Sequence, residues 1–270
     1  MKRIFLPAVC LIYLSSPGLL LYGQEFQTYR SMEYGLITSE SCEPGEKYPL
    51  VVCLHGGCPS GEARDKETKK PYKTPTFGLT DKVRSETPCF VIIPQAKKLW
   101  WDGGRGNSPI DEILSFIDRK LLREFPIDKN RLYIVGNSDG GTAILHLLAW
   151  YPDTFAAAIP LSGWLGENES TQKMVKSKTA VWWFAGKEDK IAPWNFTERV
   201  LTDYNRGKGN LKLTVIEVDG GHSAPGRVYK TLCDGTPAKG IRTITTGQQC
   251  DTVTANPIQW MFKQSLHPSR

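Results

Sequence analysis

A serine, an imidazole and a carboxylate can together cleave an acyl bond, and the sequence offers a candidate for each. Ser138 stands in "GNSDGG", Gly136 to Gly141, a G-x-S-x-G pattern. A serine hydroxyl is a weak nucleophile at neutral pH, so a base must take its proton and a third group must orient that base. The chain has four histidines, His55, His146, His222 and His267. His146 falls in the helical segment after the serine and is expected to pack there, while His267 lies beside the C-terminus. His222, in "EVDGGHSAPG", follows an apolar strand and is flanked by glycines, as suits a loop histidine reaching over the carboxyl end of a sheet. "VWWFAGKEDKIAP" places Glu188 and Asp189 in one turn after another apolar strand. Asp189 is the preferred orienting acid, so the catalytic set is Ser138, Asp189 and His222.

An acyl transfer also needs two N–H donors for the developing oxyanion. One is expected from Asp139, directly after the serine, where the helix begins. The other is expected from "LVVCLHGGCP", whose strand ends at Leu54 and whose glycines leave the backbone unobstructed. The amide of Gly57, or of its neighbour Cys58, is the candidate. His55 is read as a structural hydrogen-bonding residue under that loop.

These groups need a scaffold, and the sequence describes one. Short apolar runs alternate with longer amphipathic ones, the pattern of a mostly parallel sheet with helices on both faces, in a single α/β domain. Strands are expected at 26–37, 50–54, 90–93, 131–135, 156–160, 180–185 and 211–218. The stretch "SPIDEILSFIDRKLLREF" reads as a helix with Ser108 as N-cap, Pro109 at the first position, and apolar residues at helical spacing from Ile110 to Leu122. Three more helices are expected in "DGGTAILHLLAWY", "WNFTERVLTDYN" and "NPIQWMFKQSL". In this frame "RLYIV" is a buried strand and "TAILHLLAW" a helix. Ser138 therefore occupies a sharp strand-to-helix turn that glycines at 136 and 140 make sterically possible.

The segments "YPLVVCLHGG", "WWDGG", "RLYIVGNSDGG", "YPDTFAAAIPLSG", "GKEDKIAP" and "GGHSAP" together resemble the α/β-hydrolases. Within them, the likeness is to secreted esterases of the polyhydroxybutyrate-depolymerase-like, feruloyl-esterase-like and dienelactone-hydrolase-like group, also labelled "predicted peptidase". The resemblance spans about Tyr29 to Gln264. It implies an α/β-hydrolase fold, hydrolysis of carboxylic esters of acyl, feruloyl or hydroxyalkanoate type through an acyl-enzyme, no cofactor, and the roles given above to Ser138, Asp189 and His222. The implied substrate is a small molecule, or an ester of a polysaccharide or polyester. Two features depart from the group. Position 139, usually uncharged there, is an aspartate, and residues 232–255 form an insertion that could shape one side of the entrance. Trp100 and Trp101 of "KLWWDGGRGNS", together with Trp164, are candidate substrate contacts, with a core position at least an equal alternative for one of the pair and open for Trp164. Arg105 is another candidate, or a partner for Asp139, with a solvated arginine the preferred reading.

A peptidase of the same fold is the alternative within this chemistry. A catalytically idle hydrolase fold used for binding is the alternative outside it. Asp139 is the one feature favouring the idle reading.

Residues 1–23, with Lys2 and Arg3 ahead of an apolar stretch that closes near Gly23, have the layout of a secretory signal peptide. The expectation is a secreted or periplasmic protein, with residues 24–270 as the catalytic domain and no stable membrane insertion after cleavage. Loss of Cys10 would leave Cys42, Cys53, Cys58, Cys89, Cys233 and Cys250, an even set compatible with disulfides. Cys233 with Cys250 is the guessed pair, and Cys53, inside a strand, is the best candidate for a buried free thiol. No Cys/His spacing suggests a metal site. The net charge of +6 falls by two with the leader, and the basic residues are scattered rather than clustered, so nucleic acid is not an expected partner. "KETKKPYK" reads as a solvated loop.

Overall fold

Alternation along the central strands decides which side of the sheet each residue serves. In β3 (Tyr48–Leu54), Leu50, Val52 and Leu54 enter one buried cluster while Val51 and Cys53 enter another. Successive side chains of a strand point to opposite faces, so a strand apolar at every position must be covered on both. The computed structural model describes residues 27–38, 42–57, 79–247 and 251–267. The other strands are β1 (Gln27–Tyr29), β2 (Met32–Ile37), β4 (Phe90–Gln95), β5 (Ile127–Asn137), β6 (Ala157–Leu161), β7 (Ala180–Gly186), β8 (Leu211–Ile216) and β9 (Ile241–Thr246). They form a nine-stranded sheet in the order β1-β2-β4-β3-β5-β6-β7-β8-β9. The pairings from β4 through β8 are parallel, and β1, β2 and β9 join antiparallel. The architecture is a single α/β domain, a mostly parallel sheet with helices on both faces, as expected.

One face is covered by α2 (Pro109–Phe116), α4 (Asp139–Trp150), α5 (Gln172–Lys176) and α6 (Trp194–Gly207), which feed the larger cluster. The other is covered by α1 (Asp81–Glu86), α7 (Ala224–Cys233) and α8 (Pro257–Phe262), with Val83, Tyr229, Ile258 and Trp260. α4 runs under the site and is buried on every side. Among the described residues no helix is long and apolar enough to cross a membrane.

The structure refines three sequence expectations. The first strand is a hairpin, β1 and β2, turned at Arg30 with φ of 54°. The helix from Pro109 contains a π-helical stretch, Ile117–Leu121, before α3 (Leu122–Glu124), so Ile117 and Leu121 stay buried beyond Phe116. Residues 232–255 contain β9, which extends the sheet, and none of their described members lines the cavity over Ser138, contrary to the expected entrance wall. Cys53 and Cys89 are buried free thiols, and burial pushes Cys89 up to about 12. Cys233 is a free thiol as well. Its guessed partner Cys250, the expected leader at 1–23, Cys58 and the expected loop at 66–73 lie outside the described residues.

Candidate active site

β5 delivers Asn137 to the carboxyl edge of the sheet, and α4 leaves from Asp139. Ser138, between them, is held at φ 56° and ψ −113°, a region costly for any residue with a Cβ. Its N–H donates to Leu161 O at 2.8 Å, and its own carbonyl accepts from Thr142 N–H at 2.9 Å. The turn is as tight as the glycines allow. A Cβ at Gly136 would stand 2.5 Å from Gly140 O, and one at Gly140 would stand 2.6 Å from Leu54 O. Backbone thus packs on backbone, and the start of α4 sits directly against the end of β3.

The loops after β7 and β8 are joined to each other. Lys187 N–H donates to Ile216 O at 2.9 Å and Glu188 N–H to Gly220 O at 3.1 Å. This brings Asp189 to His222: Nδ1 and Asp189 Oδ2 lie 2.8 Å apart, and His222 Nε2 lies 2.8 Å from Ser138 Oγ. A carboxylate can only accept, which puts the imidazole proton on Nδ1 and leaves Nε2 to accept from the serine hydroxyl. Asp189 Oδ1 accepts from the amides of Ile191 at 2.8 Å and Ala192 at 2.9 Å. Burial alone would raise the Asp189 carboxyl. The His222 hydrogen bond and the two amides outweigh it and hold the group below its ordinary value. Glu188, the other acid of that turn, faces solvent.

Ser162 is a site residue that the sequence reading missed. It is buried, has φ of 52°, and its Oγ donates to the carbonyl of His222 at 2.7 Å, fixing the backbone that carries the imidazole. The available signal was its place in "PLSG", immediately after a strand neighbouring the elbow.

Gly57 and Asp139 face each other across the cavity floor, a Cβ at Gly57 standing 3.9 Å from Asp139 Cβ. As the first residue of α4, Asp139 carries one of the amides that have no partner within a helix. His55 supports the loop beneath: its Nε2 accepts from Ala96 N–H at 3.0 Å, and Nδ1–H donates to Gly56 O at 2.6 Å. The Asp139 side chain is buried, and its Oδ1 has no hydrogen-bond partner. Burial pushes this carboxyl up to about 7, with the Trp100 amide opposing.

The cavity over Ser138 has a volume of about 180 Å³ and is walled by Leu99, Trp101, Trp164 and Ile191. Trp101 is braced from behind by His146, its ring stacked at 5.5 Å. Trp100 is not a substrate contact. It is fully buried, and its indole N–H donates to His55 O at 3.1 Å, because adjacent residues on this turn face opposite ways. Arg105 is outside the cavity too: it is exposed and sits over the Tyr151 ring at 5.0 Å, not on Asp139.

The family described as "Putative esterase" matches residues 30–231. The poly(3-hydroxyalkanoate) depolymerase C of Paucimonas lemoignei is 25% identical over 240 residues, covering 73% of this chain and 53% of the depolymerase. This chain therefore spans about half the length of that relative. A thermostable esterase of known structure superposes with a TM-score of 0.66 at 24% identity, over 90% of this chain and 63% of that one. A feruloyl esterase module from Clostridium thermocellum gives a TM-score of 0.52 at 15% identity, over 78% of this chain and 86% of the module.

Proposed function

The chain belongs to the Esterase family, and from that premise we propose that it is a secreted serine hydrolase of carboxylic esters acting through Ser138, His222 and Asp189. The observation that carries the reading is the unbroken hydrogen-bond chain from Ser138 Oγ through the imidazole to Asp189, each link 2.8 Å. Ser138 Oγ attacks the ester carbonyl carbon as His222 Nε2 takes its proton, and Asp189 stabilises the imidazolium that forms. The carbonyl oxygen, now an oxyanion, takes up hydrogen bonds from the amides of Asp139 and Gly57. Collapse expels the alcohol, protonated by His222, and leaves an acyl-serine. Water, activated by the same imidazole, then releases the acid and restores the hydroxyl.

The cavity of about 180 Å³ lies below the roughly 300–1,000 Å³ typical of sites that enclose a whole ligand. This supports a substrate of which only a short acyl or hydroxyacyl unit is enclosed, the remainder lying outside between Leu99 and Ile191. The depolymerase relative points the same way, towards hydroxyalkanoate esters. The amphiphilic layout of residues 1–23 supports export.

Hydrolysis of p-nitrophenyl acetate by the wild type and by Ser138→Ala tests the reading. The substitution is expected to lower kcat by roughly 10⁴-fold or more. Equal rates would remove Ser138 as the nucleophile. A series of acetyl, hydroxybutyryl and feruloyl esters then ranks the acyl groups.

A further inference from the structure

We propose that Asp139 is a positioning residue that serves in its neutral form, its buried carboxyl packed against Gly57 so that the loop after β3 is held opposite Ser138 with no charge beside the oxyanion. The inference rests on the serine-hydrolase reading above and deepens it.

The contacts around it are close. Asp139 Cβ stands 3.9 Å from where a Cβ on Gly57 would be, so the start of α4 packs on the loop after β3. That loop is held in turn by the Trp100 indole, which donates to His55 O at 3.1 Å, and by His55 Nδ1–H, which donates to Gly56 O at 2.6 Å. The two segments that carry the oxyanion amides thereby meet at this side chain.

The charge state follows from what surrounds the carboxyl. An ionised carboxylate wants several donors, whereas Asp139 Oδ1 is buried without one. On the cavity side it faces His222 and Ser138, with Asp189 behind the imidazole and already paired to it. From the β3 loop it faces uncharged Gly57, from the β4–α2 loop Trp100 and Trp101, and from its own helix Thr142. His55 lies behind Trp100, where burial lowers its affinity for a proton. No charged side chain among the described residues contributes to the Asp139 shift, and burial leaves the carboxyl near 7. Its ionisation would place a negative charge one residue from Ser138, where it opposes the oxyanion in a poorly screened site.

The pH dependence of kcat/KM for p-nitrophenyl acetate, in the wild type and in Asp139→Asn, tests this. Asparagine keeps the shape of the side chain and cannot ionise. The wild-type value is expected to fall about tenfold between pH 7 and 8.5, and Asp139→Asn to lose that decline. Superimposable profiles would overturn the inference. If Asp139→Asn fails to fold, the infrared carboxylic-acid band of the wild type decides: a band present at pH 6 and gone at pH 8.5 supports the neutral acid, and no band at pH 6 overturns it. An active Ser138→Ala would defeat the hydrolase reading itself. An inactive Ser138→Ala with superimposable profiles would defeat only the role given to Asp139.

Discussion

Two buried aspartates stand at the same site, Asp189 behind the His222 imidazole in the loop after β7 and Asp139 on the cavity at the start of α4, and their carboxyl groups are shifted in opposite directions. Asp189 is 5% exposed and Asp139 7%, so depth does not separate them. The donors do. Asp189 receives an imidazole N–H and two amides, and its carboxyl is held below the ordinary range. Asp139 Oδ1 receives none, and burial raises the carboxyl to about 7. Burial penalises charge, but the number of N–H groups aimed at a carboxylate decides whether that penalty is met.

The sharpest way to break this contrast is Asp189→Asn, which keeps the shape and removes the charge. The imidazole then loses the partner that fixes its tautomer, and kcat is expected to fall about 10⁴-fold in a steady-state assay. Stability should separate the pair by sign. The native Asp139 keeps a proton that the unfolded chain releases near 4, so wild-type stability declines as pH rises from there to about 7, by about 1.4 kcal/mol per pH unit. Relative to the wild type, Asp139→Asn should therefore gain about 3 kcal/mol between pH 5 and 8, read from denaturant melts. Asp189 contributes the opposite way: its stabilisation is present above the ordinary carboxylate range and is lost as pH falls through its lowered native value. A gain for Asp139→Asn that did not grow with pH would erase the distinction. The smallest effect is expected at Ser162→Ala, which frees the His222 carbonyl from its 2.7 Å contact. A loss of about 1 kcal/mol in stability and about fivefold in kcat is expected. No change in kcat would mean that the histidine loop is held by its other contacts alone.

The residues of the hydrogen-bond chain were legible because each sits at a strand end marked by glycine or by a turn. "GNSDGG" and "GKED" follow solid apolar runs, and "GGHS" follows the more mixed strand "LKLTVI". The choice of Asp189 over Glu188 needed coordinates, since neighbours in a turn differ only in which way they face. The same holds for Trp100 and Trp101, in a stretch with no periodicity to separate core from cavity. β9 went unread because "IRTITT" lies on an exposed edge, where polar residues are tolerated on both faces. The β1–β2 hairpin went unread because Arg30 carries the left-handed turn without a glycine or asparagine to mark it.

The backbone at residue 138 carries a consequence for descent. A side chain kept at φ 56° is a standing expense of about 1–3 kcal/mol, which glycine would avoid. A lineage that stopped using the hydroxyl would melt higher after a single substitution there, and drift would have no reason to resist it. Retaining serine at so awkward an angle is how a working copy of this scaffold would differ from a retired one.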